Sequence, residues 1–449
     1  MQPIGHTLAT GVAFFAALVI FNGQSAAQPP PPALTTLYTF TGGLDGSSPS
    51  ALAIGPDGVL YGTTTDGGQL STGTVFSLTP PAAAGGAWTE TVLYSWEPNE
   101  ASAPSGVALG RNGALYGVTS GGGVWRKGTA YVVSPPSSAG GLWTKTVLHN
   151  FGGTVNDGTS PSGLAIGRKG VLYGTTSGGG TAGQGTVFSL TPPLSAGEDW
   201  TEGVLYSFMG SPSDGSQPAG GVTIGDGGVL YGTTNSGGTD QVGPGCAPTA
   251  SGSDCPGTIF SLTPPSSAGG AWTEKMLYST GEGGFANGFG FVSGVVIGEG
   301  GVLYGVAPYG GIYCNVVSVA GCGVLYALVP PASPGGTWTD VALHAFTGSY
   351  DDAINPGAGL AISKNGTLYG TAYNGGTWGT GVVYAEKPPA SPGDGWTETV
   401  VQSFDWGSAA GSSPSVKVTV GRSGLIFGST TYGGVPGPFG YGTIFALVP

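Results

Sequence analysis

Apolar and polar positions alternate along this chain in short runs, and the runs return in a fixed order. The stretch Gly58–Thr64 (GVLYGTT) comes back at Gly113 (GALYGVT), Gly170 (GVLYGTT), Gly228 (GVLYGTT), Gly301 (GVLYGVA), Gly366 (GTLYGTA) and, in degenerate form, Gly424 (GLIFGST). Successive copies are 55, 57, 58, 73, 65 and 58 residues apart. Short apolar alternations bounded by Gly, Pro, Asn and Asp read as strands and turns. In the third copy four strands are predicted: Ser162–Gly167 (A), Val171–Thr176 (B), Gly185–Thr191 (C) and Trp200–Phe208 (D). Gly or Pro interrupts nearly every ten-residue window, which disfavours helices. Four antiparallel strands in each of seven units, repeated radially, predict an all-β, seven-bladed β-propeller. A β-helix is the structural rival, but its coils are shorter and lack this order of hairpins.

The two ends of the repeat array complement each other. Residues 34–40 (LTTLYTF) match strand D, whereas residues 442–449 (GTIFALVP) match strand C. The last unit therefore lacks its outer strand, and the array opens with an unattached one. Joining them predicts 3+1 closure, with Leu34–Phe40 beside Gly442–Val448 and Gly424–Thr430, which leaves no sheet edge open. Ahead of this strand, Leu8–Phe21 is apolar and is followed by Ser25-Ala26-Ala27, small residues of the kind a signal peptidase reads. The expected organisation is a signal peptide over 1–27, a Pro-rich leader over 28–33 and one propeller domain over 34–449. A membrane anchor is the rival reading of the first segment, but spanning a bilayer takes about 20 apolar residues and this run is shorter. The mature chain is expected to be secreted or periplasmic, without stable membrane insertion, and monomeric.

The G-x-LYGTT-x-x-GG…GTVF-x-L pattern, followed by a T-x-LYSF strand, resembles the GloVer-type tandem repeats of exported bacterial proteins, a choice-of-anchor group with varied C-terminal sorting signals. The resemblance covers roughly residues 34–449 and implies a propeller and export, with no established reaction. No anchor or sorting tail is expected after Pro449.

Composition narrows the partners. Of 449 residues, 91 are Gly and 35 Pro, yet 39% are hydrophobic, so the chain can still build a core. Only 8% are charged, with 11 Lys plus Arg and a net charge of −13, which disfavours nucleic acid and anionic membranes as partners. Cys246 pairs in sequence with Cys255, and Cys314 with Cys322, inside the two longest spacings. Two local disulfides stapling the insertions of blades four and five are expected, since neither pair has metal-site spacing or a nearby His.

Candidate chemistry is sparse. His149 and His344 replace the Tyr of the LYSF motif on strand D, which reads as a packing role, and no catalytic triad can be assembled. Glu90, Glu202, Glu274 and Glu398, with Asp340, follow Trp-Thr at the start of strand D and read as a solvated outer edge; Lys145 fills this place in blade two. The A strands contain no Asp, Glu or His and only Lys417 as a charge, so neither a metal in the central channel nor a cofactor is expected. The D–A and B–C loops share one face in a propeller. That face collects half of the 24 acids, among them Asp157, Asp214, Asp351, Asp352 and Asp405. It also collects aromatics outside repeat-fixed positions, notably Trp125, Tyr309, Tyr313, Trp378 and Trp406. Aromatic rings beside carboxylates suit carbohydrate stacking or cation binding. The Asp-Gly pairs at Asp157 and Asp214 have the simpler reading of turn formers. The expected function is an exported, non-enzymatic binding module for extracellular glycan or a surface protein. The alternative is a polysaccharide-cleaving enzyme, a hydrolase or lyase, using acids of the same face.

Overall fold

The computed structural model describes residues 34–449, except 84, 99, 101, 139, 196, 240–256, 268, 281–287, 312–320, 334, 350, 392–393, 407 and 435–439. The expected signal peptide and leader lie outside the described residues, as do Cys246, Cys255, Tyr313 and Cys314. Strand β1 (Leu34–Thr39) precedes blade one, β2–β5 (Ser47–Ile54, Leu60–Asp66, Thr74–Thr79, Thr89–Ser95). Blade two is β6–β9 (Ser102–Leu109, Leu115–Gly121, Thr129–Ser134, Thr144–Asn150) and blade three β10–β13 (Gly158–Ile166, Leu172–Gly179, Thr186–Thr191, Thr201–Ser207). Blade four is β14–β17 (Gly215–Ile224, Leu230–Gly237, Thr258–Thr263, Thr273–Ser279) and blade five β18–β21 (Val296–Ile297, Leu303–Ala307, Val324–Val329, Thr339–Ala345). Blade six is β22–β25 (Ala353–Ile362, Leu368–Gly375, Val382–Lys387, Thr397–Ser403), and blade seven begins with β26–β28 (Thr419–Val420, Ile426–Thr430, Thr443–Leu447).

Each blade is a four-stranded antiparallel sheet, and the seventh has the order β1-β28-β27-β26. Leu34 faces Leu447 and Thr39 faces Thr443, so the N-terminal strand closes the ring with three strands from the other end, as the register of the ends predicts. Among the described residues no helix is long and apolar enough to cross a membrane.

The repeated letters are the contacts between blades. The Gly of LYG faces the aromatic of the next strand: a Cβ on Gly174 would lie 2.5 Å from the Phe188 ring and 2.4 Å from the Gly163 carbonyl oxygen. The space it leaves lets the aromatic of one blade reach the Phe that ends the outer strand of the preceding blade. Phe151 meets Phe188 edge-on at 4.9 Å, Phe208 meets Phe260 at 5.1 Å and Phe346 meets Tyr384 at 5.1 Å. At the closure Phe40 meets Phe76 at 5.3 Å in the same way. Where blade four ends in Thr280 instead of an aromatic, Phe291 supplies the ring against Tyr326 at 5.2 Å. A second layer pairs the Tyr of LYG with the Trp before the next blade's outer strand, for example Tyr173 with Trp272 at 5.9 Å. The fully buried aromatics therefore sit between sheets, where edge-to-face packing adds to area burial.

Two inner strands are shorter than expected. Residues 293–298 and 415–420 contribute only Val296–Ile297 and Thr419–Val420. Backbone groups of these segments are satisfied across a blade joint instead: Thr233 donates its hydroxyl to the Ser293 carbonyl at 2.9 Å, and Thr371 to Val416 at 3.1 Å.

Candidate functional site

The loops between outer and inner strands, and those between the second and third strands, meet on one face. Gly180 donates its N–H to the Asp157 carbonyl at 3.0 Å, Gly238 to Asp214 at 2.9 Å and Gly376 to Asp352 at 2.8 Å. This places Trp378 (61% exposed) in the β23–β24 loop and Trp406 (52%) in the β25–β26 loop on neighbouring blades. Trp406 stacks on Tyr432 with centroids 6.4 Å apart and planes 12° from parallel. Tyr432 neighbours Tyr373, an exposed ring at the end of β23's LYGTAY run, and the polar interaction between the two phenols raises the Tyr432 pKa. Thr377, next to Trp378, bonds the Ser403 hydroxyl at 2.9 Å, tying that loop to the strand from which Trp406 emerges. Tyr309 stacks on Phe289 at 5.5 Å on blade five, and Trp125, also exposed, leans against Gly153 near blade two. The predicted aromatics thus fall into a patch on blades six and seven and two separate outliers. Asp351 is exposed and Asp405 half-buried, but Asp352 is only 5% exposed and turned inward.

That inward turn recurs. At the closure the Tyr38 hydroxyl donates to Asp45 at 3.0 Å, and Asp45 also accepts the Thr41 N–H at 2.8 Å. Tyr206 donates to Asp214 at 2.9 Å, with the Met209 N–H at 2.7 Å. His149 lies 3.2 Å from Asp157, which also accepts the Gly153 N–H at 3.0 Å. Asp352 accepts from Thr347 N–H at 2.7 Å and Ala353 N–H at 2.7 Å, with His344 Nε2 at 3.4 Å. Asp157 and Asp214 do form turns, as expected, but they also hold the ring at the end of the outer strand.

The glutamates of the Trp-Thr-Glu motif complete these joints, and here the solvated-edge reading is corrected. Glu90, Glu202, Glu274 and Glu398 are half-buried because each outer strand packs towards the acidic turn of the preceding blade. Burial, and then Asp45, push Glu90 up to about 7; burial, and then Asp214, do the same for Glu274. A like charge nearby adds to burial in disfavouring the ionised glutamate. In blade two the pair is inverted: Glu100 takes the turn and Lys145 the strand position, and the two form an ion pair. The Lys145 ammonium also lies 5.4 Å from the Trp96 ring. Glu282, in the segment between blades four and five, lies outside the described residues.

A family model described as the Gloeobacter/Verrucomicrobia repeat matches residues 19–142 and 83–245, overlapping segments that span just over half of the chain. The chain belongs to the Gloeobacter/Verrucomicrobia repeat family. No curated protein matches it significantly. Solved structures similar in fold include a catalytically inactive virginiamycin B lyase from Staphylococcus aureus with quinupristin, at 13% identity and TM-score 0.49, covering 93% of this chain and 99% of that one. A gluconolactonase from Xanthomonas campestris is 13% identical with TM-score 0.39, covering 93% and 94% of the two chains. An aldose sugar dehydrogenase from Streptomyces coelicolor in its PQQ-bound form is 13% identical with TM-score 0.42, covering 94% and 100%. Likeness of this degree carries no statement about activity.

Set against its own seven copies of the Gloeobacter/Verrucomicrobia repeat, the chain departs at few chemically loaded positions. Tyr373 stands where the other copies have Thr65, Ser120, Ser177, Asn235, Pro308 and Thr431, a substitution visible in LYGTAY. Glu386 stands where the facing residues of the other third strands are Leu78, Val133, Leu190, Leu262, Leu328 and Leu447. It is wholly buried, and burial pushes it up to about 7, opposed by His344 and reinforced by Asp352. Lys417 is exposed, and its alkyl chain lies near Gly359 of the neighbouring blade.

Proposed function

We propose that this protein is an exported, non-enzymatic binding module that takes extracellular carbohydrate on the aromatic patch of blades six and seven. The observation that carries the reading is the near-parallel Trp406–Tyr432 stack, with exposed Tyr373 and Trp378 on neighbouring loops. Exposed rings held by their neighbours offer flat apolar surface to the C–H face of a sugar at little entropic cost, and Asp405 beside Trp406 supplies an acceptor for its hydroxyls. The apolar segment 8–21 and the small residues after it support export, and the cysteine pairs agree with an oxidising compartment. A glycan panel tests the reading. Saturable binding to a polysaccharide should fall by about tenfold or more when Trp406 and Trp378 are replaced by Ala, in line with losing two ring contacts. Binding that survives both replacements would remove the patch from the reading. Release of cleavage products from any glycan of the panel would replace the module with an enzyme.

A further inference from the structure

We propose that His344, Asp352, Glu386 and Glu398 form a binding site for one divalent transition cation of the zinc class, at the joint between blades five and six. His344 comes from β21, Asp352 from the turn after it, Glu386 from β24 and Glu398 from β25, so two blades supply the donors. One ligating atom each from His344, Asp352 and Glu398 lies within 4.8 Å of the other two. His344 Nε2 stands 3.4 Å from the nearer Asp352 oxygen. Two donors each about 2.1 Å from a tetrahedral ion are separated by roughly 3.4 Å, whereas a good hydrogen bond between them would be shorter. His344 Nε2 is buried and makes no hydrogen bond.

Glu386 supplies the independent observation. It is 0% exposed and neither of its carboxylate oxygens has a hydrogen-bond partner. It stands directly across the β24–β25 ladder from Glu398, one of whose oxygens is also buried without a partner. Two acids facing each other in a dry joint are costly, and the remaining blades avoid the cost with an apolar residue at this register. A divalent ion held by His344, Asp352 and Glu398 removes the penalty by bringing positive charge to the joint where Glu386 faces Glu398, and this mixed nitrogen and oxygen set suits zinc more than calcium or magnesium. The His344 side chain keeps 24% of its surface accessible, which leaves a route for the ion. The joint between blades two and three works as an internal comparison. His149, Asp157 and Glu202 sit there in the same arrangement, but Leu190 faces Glu202 in place of the buried acid and His149 is hydrogen-bonded to Asp157 at 3.2 Å.

The test is calorimetric titration of the chelator-treated full chain with zinc, paired with its thermal unfolding. Wild type should bind zinc at one dominant site and unfold at a higher temperature when zinc is present. Glu386→Leu restores the residue of the other blades and should fold; it and His344→Gln should each weaken zinc binding by about tenfold or more. His149→Gln should leave the dominant site as it is. Absence of zinc binding by folded wild type would overturn the proposal, as would binding that is undiminished in both Glu386→Leu and His344→Gln.

Discussion

Gly185 shows how little room the repeat leaves to single residues. Its φ is +99°, and a Cβ there would lie 2.4 Å from the Thr176 carbonyl oxygen and 2.5 Å from Pro218 of the next blade. Gly183, two residues earlier, has φ +76° but nothing within 4 Å. Gly183→Ala should therefore cost only the backbone strain, about 1 kcal/mol, while Gly185→Ala adds collisions with backbone and Pro and should cost about 3 kcal/mol or more. Urea midpoints of the two variants, compared at constant slope, would show the difference. Lys145 makes a second case. Its side chain is 6% exposed and its partner is Glu100, so Glu100→Gln strands an ammonium in the joint. A loss of about 3 kcal/mol is expected, against well under 1 kcal/mol for an exposed pair. A chemical unfolding curve superimposable on wild type would show that Lys145 reaches water when unpaired.

At the scale of elements, the outer strand is a joint rather than a rim. Its Phe enters the next blade, so Phe151→Ala should open a cavity against Phe188 and cost about 3–5 kcal/mol, measured by thermal unfolding. Its Glu meets the preceding blade's acidic turn, and this gives stability a pH dependence. Glu90 and Glu274 keep their protons up to about pH 7 in the folded chain, whereas an unhindered Glu releases its proton near 4.5. Between those values the folded chain carries more protons than the unfolded one, so these two groups make stability fall as pH rises from about 5 to 7. The decline ends above the folded-state values. Replacing both by Gln should flatten melting temperature against pH over this window. A slope equal to that of wild type would mean that the joints do not hold the protons.

For the whole molecule, the decisive contact is the one between the first and last strands. Closure buries the β28 edge under β1 and Phe40 against Phe76, so a chain cut back to start at Thr41 loses both. Open strand edges recruit other chains, and the shortened protein should form larger species than the full chain does, which light scattering detects. The aromatic patch of blades six and seven is also a property of the ring. Trp378, Trp406 and Tyr432 lie on three separate loops, and only the blade-to-blade spacing brings them to one face.

Period, strand order and end register were legible in the sequence because each is local or repeats along the chain: GVLYGTT marks the second strand wherever it falls, and LTTLYTF is an outer strand without a sheet. Glycines and aromatics at fixed places therefore specify seven blades and their closure before any packing is known. The partners of the acids were not legible. Glu90, Glu274 and Glu398 are half-buried between exposed strand neighbours, and a run this polar gives no sign in sequence that a neighbouring blade's turn covers them. Charge in the interior depends on distances between residues far apart in sequence, such as Asp214 and Glu274 or His344 and Glu398, which only the ring geometry determines. The repeat dictated the propeller; the joints between blades decided which carboxyls lie out of water, and so where this protein keeps its protons and the donors for a cation.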